Sequence, residues 1–89
     1  MDYFKMFNKQ FFLDKIESEI DEQLAVIEEC ENQCDKINYV LQNKSSEYSE
    51  RDIEKIKRNR IKLWEKSKVA RNRIDKLRNE YKRYQEMDI

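Results

Sequence analysis

Cys30 and Cys34 are the chain's only thiols, four residues apart and therefore on one face of any helix that holds them. Thiols at that spacing could ligate a metal, but a closed four-ligand zinc site needs partners, and the sequence contains no His to supply them. With no second cysteine pair to build a disulfide framework, the two read as small seam residues of a helix in a reducing compartment. Carboxylate pairs such as Glu28 and Glu29 could move protons. They stand, however, in a run of acids, in a chain with no His, no Gly-rich phosphate loop and no long loop to wall off a pocket. A di-iron site of the four-helix kind requires inward Glu and Glu-x-x-His ligands, which this sequence lacks. The sequence predicts no catalytic residue, no metal and no cofactor.

Recognition chemistry is what remains. Ile61 and Trp64, with Lys62, Lys66 and Lys68 around them, read as a partner-binding patch: an aromatic anchor with a basic rim, suited to an acidic groove on another protein. The competing assignment has Leu24 cover Trp64 inside the fold. Phe4, Phe7 and Phe11 recur at i, i+3 and i+7 as one helical stripe, and with Tyr81 and Tyr84 they are the expected self-association residues. A row of Lys and Arg between Arg58 and Arg83 could instead follow phosphates, which makes a nucleic-acid binder the runner-up.

Long helices must position these residues. The 89-residue chain has no Gly and no Pro, the residues that tight turns draw on, and 43% of it is charged. That composition is typical of coiled coils and long helices. From Arg51 to Tyr84 the a positions are Ile53, Arg60, Ser67, Ile74 and Tyr81, and the d positions Ile56, Leu63, Ala70, Leu77 and Tyr84. Upstream the repeat is Leu13, Ile20, Ile27, Cys34 and Leu41 at a, with Ile16, Gln23, Cys30 and Ile37 at d. Charge segregates with the helices. Leu13–Asn43 carries nine acids and two bases, whereas Arg51–Tyr84 carries fourteen bases and five acids, so the two most simply lie side by side.

The expected fold is all-α: a coiled-coil-like antiparallel two-helix hairpin, dimerising into a four-helix bundle because a lone hairpin buries only one seam. Residues 1–89 form a single domain with an aromatic N-terminal segment at 1–12, an acidic helix at 9–42, a turn at 43–48 and a basic helix at 49–86. The N-terminal segment either folds back as its own short helix or supplies the first turns of the acidic one. Ser49, with Asp52 three residues on, reads as the second helix's cap, with Ser46 the alternative for an earlier start.

Antiparallel seam partners have residue numbers that sum to a constant, here 90 or 97, one heptad apart. A sum of 90 pairs Leu13 with Leu77 and Ile27 with Leu63, puts polar Gln23 opposite Ser67, and brings Glu17 to Arg71, Glu19 to Arg73 and Glu31 to Lys57. It leaves Arg60 opposite Cys30, with its guanidinium reaching out to solvent or an acid. A sum of 97 sets Ser67 on Cys30 and Gln23 on Ile74. Unpartnered buried polar groups cost about 1–3 kcal/mol each, so the sequence favours 90.

The outline also resembles the small helical hairpins exported by type VII secretion, through its length and the Tyr84/Asp88 match to their Tyr-x-x-x-Asp/Glu tail. It departs from them in lacking a Trp-x-Gly turn, since Trp64 falls mid-helix and no Gly exists. The resemblance would imply a secreted hairpin. The leading expectation remains a non-enzymatic, cytoplasmic interaction module, a small adaptor or inhibitor that occupies a partner's surface. A phage- or mobile-element-encoded inhibitor of a host defence enzyme is one member of that class. No run of residues approaches the ~20 apolar positions of a membrane span.

Overall fold

A computed structural model describes the backbone of residues 3–87 and the side chains of residues 8–87. Two helices, α1 (Tyr3–Asn43) and α2 (Glu50–Gln85), pack against each other through one seam, joined by a link that contains a single 3₁₀ turn, Ser45–Glu47. From Tyr3 on, the N-terminal segment is continuous with α1. At the other junction the Ser49 hydroxyl accepts the backbone N–H of Asp52 at 3.2 Å, the cap that the sequence specifies. Glu50 and Asp52 in α2's first turn and Lys82 and Arg83 in its last favour the helix dipole at both ends. The resulting rod measures 70 × 14 × 14 Å over its Cα atoms. No helix among the described residues is long and apolar enough to cross a membrane.

The register corresponds to the sum of 97. Tyr81 donates its hydroxyl to Glu17 Oε1 at 2.9 Å, Arg60 Nη1 donates to Asn38 Oδ1 at 3.0 Å, and the Tyr84 ring stacks on Phe12 at 5.4 Å between centroids. These pairs sum to 98, 98 and 96. Of the three flanking ion pairs expected at 90, only Glu19 with Arg73 forms, at 2.8 Å, because a long guanidinium reaches across the offset. Glu17 meets Tyr81 in place of Arg71, and Glu31 meets Arg71 at 2.8 Å in place of Lys57.

Two physical reasons favour this register. The cost assigned to Ser67 against Cys30 is not incurred, since Arg71 Nε reaches back one turn to Ser67 Oγ at 3.3 Å, and among the described residues no buried side-chain N or O atom lacks a partner. Sliding one heptad also gives Tyr81 and Tyr84 apolar neighbours on α1, where a sum of 90 would set them against Lys9 and Met6.

The core is uneven. Leu13, Ile16, Cys30, Ser67, Ala70, Ile74 and Leu77 are buried, from the open end to the Cys30–Ser67 layer near the middle of the paired length, with Ile20, Gln23 and Ile27 among them half-buried. Toward the link the seam residues Cys34, Ile37, Leu41, Ile53, Ile56, Arg60 and Leu63 are only half-buried. The small side chains Cys30, Ser67 and Ala70 stand at the inner edge of the tight half, where they allow the helices to approach closely.

At the open end, Phe12 stands level with Gln85, so the first turns of α1 run past the end of α2. Lys9 bends back over that end and donates from Nζ to the carbonyl oxygens of Gln85 at 3.0 Å and Met87 at 3.1 Å. A cation on the last carbonyls satisfies acceptors that the helix leaves open.

Candidate docking site

Trp64 is 61% exposed, and Leu24, its expected cover, is itself 45% exposed. The register explains both. At a sum of 97 Trp64 stands level with Gln33 and Cys34, and Leu24 with Arg73, about ten residues or ~15 Å away along the rod.

The indole forms a wall between two clefts. One, of about 320 Å³, is lined by Cys34, Asn38, Arg60, Ile61 and Trp64. The other, of about 360 Å³, is lined by Trp64, Ser67, Lys68 and Arg71. A third, of about 420 Å³, shares Arg71 with the second and adds Leu24, Ile27 and Ile74. A fourth shares Arg78 with the third and ends at Glu17, Ile20 and Tyr81. Neighbouring clefts share Trp64, Arg71 and Arg78 in turn, so they line up as one interrupted groove along a single side of the hairpin, crossed by the Arg71–Glu31 pair. It runs from Tyr81 to Ile61, twenty residues of α2 and therefore about 30 Å.

The partner-binding residues expected from the sequence divide in two. Ile61 and Trp64 share a cleft, and Lys68 Nζ lies 5.3 Å from the indole centroid in a cation–π contact. Lys62 and Lys66 are each two residues from Trp64, about 160° away around the helix axis, and do not rim it. Trp64 is thus no knob ringed by bases; it borders a groove of this chain.

The expected self-association residues are also divided. Tyr84 stacks on Phe12 within the chain, and Tyr81 is held by Glu17, a hydrogen bond that raises its pKa above the ordinary tyrosine range, with desolvation adding to the shift. Phe11 remains 55% exposed, in edge contact with Phe12 at 5.8 Å. The side chains of Phe4 and Phe7 lie outside the described residues.

Sequence reasoning missed Leu24, Asn38 and Arg78 as groove residues and Lys9 as a cap. The signal for the first three was the alternative register, which brings Asn38 to Arg60, Leu24 to Ile74 and Arg78 to Ile20. Cys30 is buried and Cys34 half-buried, both as free thiols, and among the described residues no cluster of three His, Cys, Asp or Glu side chains could hold a metal ion. Compared with protein-family models, curated proteins and solved structures, the chain matches none.

Proposed function

We propose that this protein is a non-enzymatic interaction module, a small helical adaptor or inhibitor that works in a reducing, cytoplasmic setting by binding a partner protein through Ile61 and Trp64. The observation that carries the reading is the exposed indole, mid-helix and beside an apolar cleft, in a fold whose largest fully buried side chain among the described residues is Leu77. Aromatics that a small fold leaves in water at a concave surface are the groups that interfaces desolvate for affinity. Dimerisation into a four-helix arrangement belongs to the same proposal and is supported by Phe11, exposed at the open end of the hairpin.

A pull-down from the native host with wild type and with Trp64→Ala tests the reading. Circular dichroism should show the variant folded, and the variant should lose a partner that wild type retains. A folded variant that keeps every partner removes Trp64 from the site. For nucleic acid as the alternative partner, fluorescence anisotropy with short DNA across a salt series is decisive, because phosphate contacts must weaken steeply as salt rises.

A further inference from the structure

We infer that the groove receives one amphipathic helix of a partner protein, about 20 residues long, with acidic residues along the edge that lies over α2. The inference rests on the interaction reading above and gives the partner its chemistry. Length comes first: the ~30 Å between Tyr81 and Ile61 is the span of about five to six helical turns. The floor is apolar where Leu24, Ile27 and Ile74 line it and again at Cys34, Ile61 and Trp64, as a ridge of i, i+3, i+4 and i+7 side chains requires.

Charge decides the rest. On the α1 wall the two acids are engaged, Glu17 by the Tyr81 hydroxyl and Glu31 by Arg71. The α2 wall carries the bases Arg60, Lys68, Arg71 and Arg78 against one acid, Asp75; Arg71 is paired with Glu31, and Lys68 and Arg78 have no carboxylate within 4 Å among the described residues. That wall is therefore net positive, and an occupant with acids on that edge is complementary.

This chain supplies no such helix itself. The outer face of α1 repeats Asp14, Asp21, Glu28 and Asp35 at seven-residue spacing with no apolar stripe beside it, and α2 is basic. The aromatic stripe Phe4–Phe11 spans seven residues, ~10 Å, and would fill a third of the groove.

Two synthetic helical peptides of 21 residues test the assignment, identical in their Leu stripe and flanked by Glu in one and by Lys in the other. Binding is read by anisotropy of the labelled peptide and by emission of Trp64, the chain's single tryptophan. The Glu-flanked peptide should bind saturably and shift the emission to the blue, and the Lys-flanked peptide should bind at least tenfold more weakly. Trp64→Ala should weaken the Glu peptide at least tenfold, and Arg78→Glu should weaken it while strengthening the Lys peptide. Equal binding of the two peptides, or binding indifferent to both substitutions, overturns the assignment. So does a sedimenting dimer that Trp64→Ala dissociates, which would make a second copy the occupant. If both peptides fail while the host pull-down still depends on Trp64, helix docking falls and the interaction reading stands.

Discussion

Leu77 and Leu63 occupy the same d position two heptads apart, so the heptad pattern assigns them equal weight. In the structure they differ: Leu77 is 1% exposed, in a buried run with Ala70 and Ile74, and Leu63 is half-buried. Truncating a fully packed leucine loses its transfer free energy and leaves a cavity, about 2–5 kcal/mol in total. With close-packed neighbours along the tight half, Leu77→Ala should cost about 3 kcal/mol. Leu63→Ala loses fewer contacts, and at a side chain already part-exposed the space it leaves is open to solvent, so no closed cavity forms and about 1 kcal/mol is expected. For a domain of this size 1 kcal/mol moves the melting temperature by about 4–8 °C, which makes the expected shifts roughly 12–24 °C and 4–8 °C. Thermal and urea unfolding followed by circular dichroism measures both. A Leu63→Ala variant as destabilised as Leu77→Ala would refute the uneven core and the register from which it follows.

Other expectations concern single contacts. In a Cys34→Ser background, Ser67→Cys should form a disulfide with Cys30 on mild oxidation, seen as faster migration on a non-reducing gel; the 90 register sets position 67 against Gln23 and predicts none. Closing that loop should stabilise the hairpin by about 4 kcal/mol if it forms without strain. The Tyr81–Glu17 hydrogen bond raises the folded pKa of Tyr81, so its contribution is intact below the unfolded value of about 10 and is lost as pH climbs through the raised one. The stability difference between wild type and Tyr81→Phe should accordingly shrink at alkaline pH, and a difference that does not change with pH would contradict the bond. Lys9→Met should fray the last turn of α2, at a cost of about 0.3–1 kcal/mol, visible as faster amide exchange near Gln85 with the middle of the helix unchanged.

Much of the fold was legible because helical periodicity states which side chains face inward. Ile74 and Leu77 are read as seam residues with no knowledge of what they touch, and Ser49 is read as a cap from its hydroxyl and the residue three places on. Periodicity does not say how far one helix slides along the other. A shift of one heptad maps a and d positions onto a and d positions, so both registers satisfy the pattern. The choice then depended on whether Ser67 and Cys30 tolerate each other, and that was settled by Arg71, whose reach back to Ser67 lies outside any seam pattern. The error carried into the site. The competing assignment, Leu24 as the cover of Trp64, belongs to the 90 register, whereas the register that forms leaves the indole exposed and beside the groove.

The lack of fully buried residues near the link also determines how the chain can reach this state. A hairpin that zipped from its bend would first form the loosely packed pairs around Ile53 and Leu41, which gain little for the entropy of ordering them. Closing the first tight layer, Cys30 against Ser67, means ordering the 36 residues between them. Folding should therefore be limited by an encounter between sequence-distant segments, slower than the short bend implies. The bend itself then serves mainly as a tether. Cleaving the chain within Lys44–Tyr48 would leave two helices that still recognise each other through Leu13, Ile16, Ile74 and Leu77, with the effective concentration supplied by the link as the principal loss.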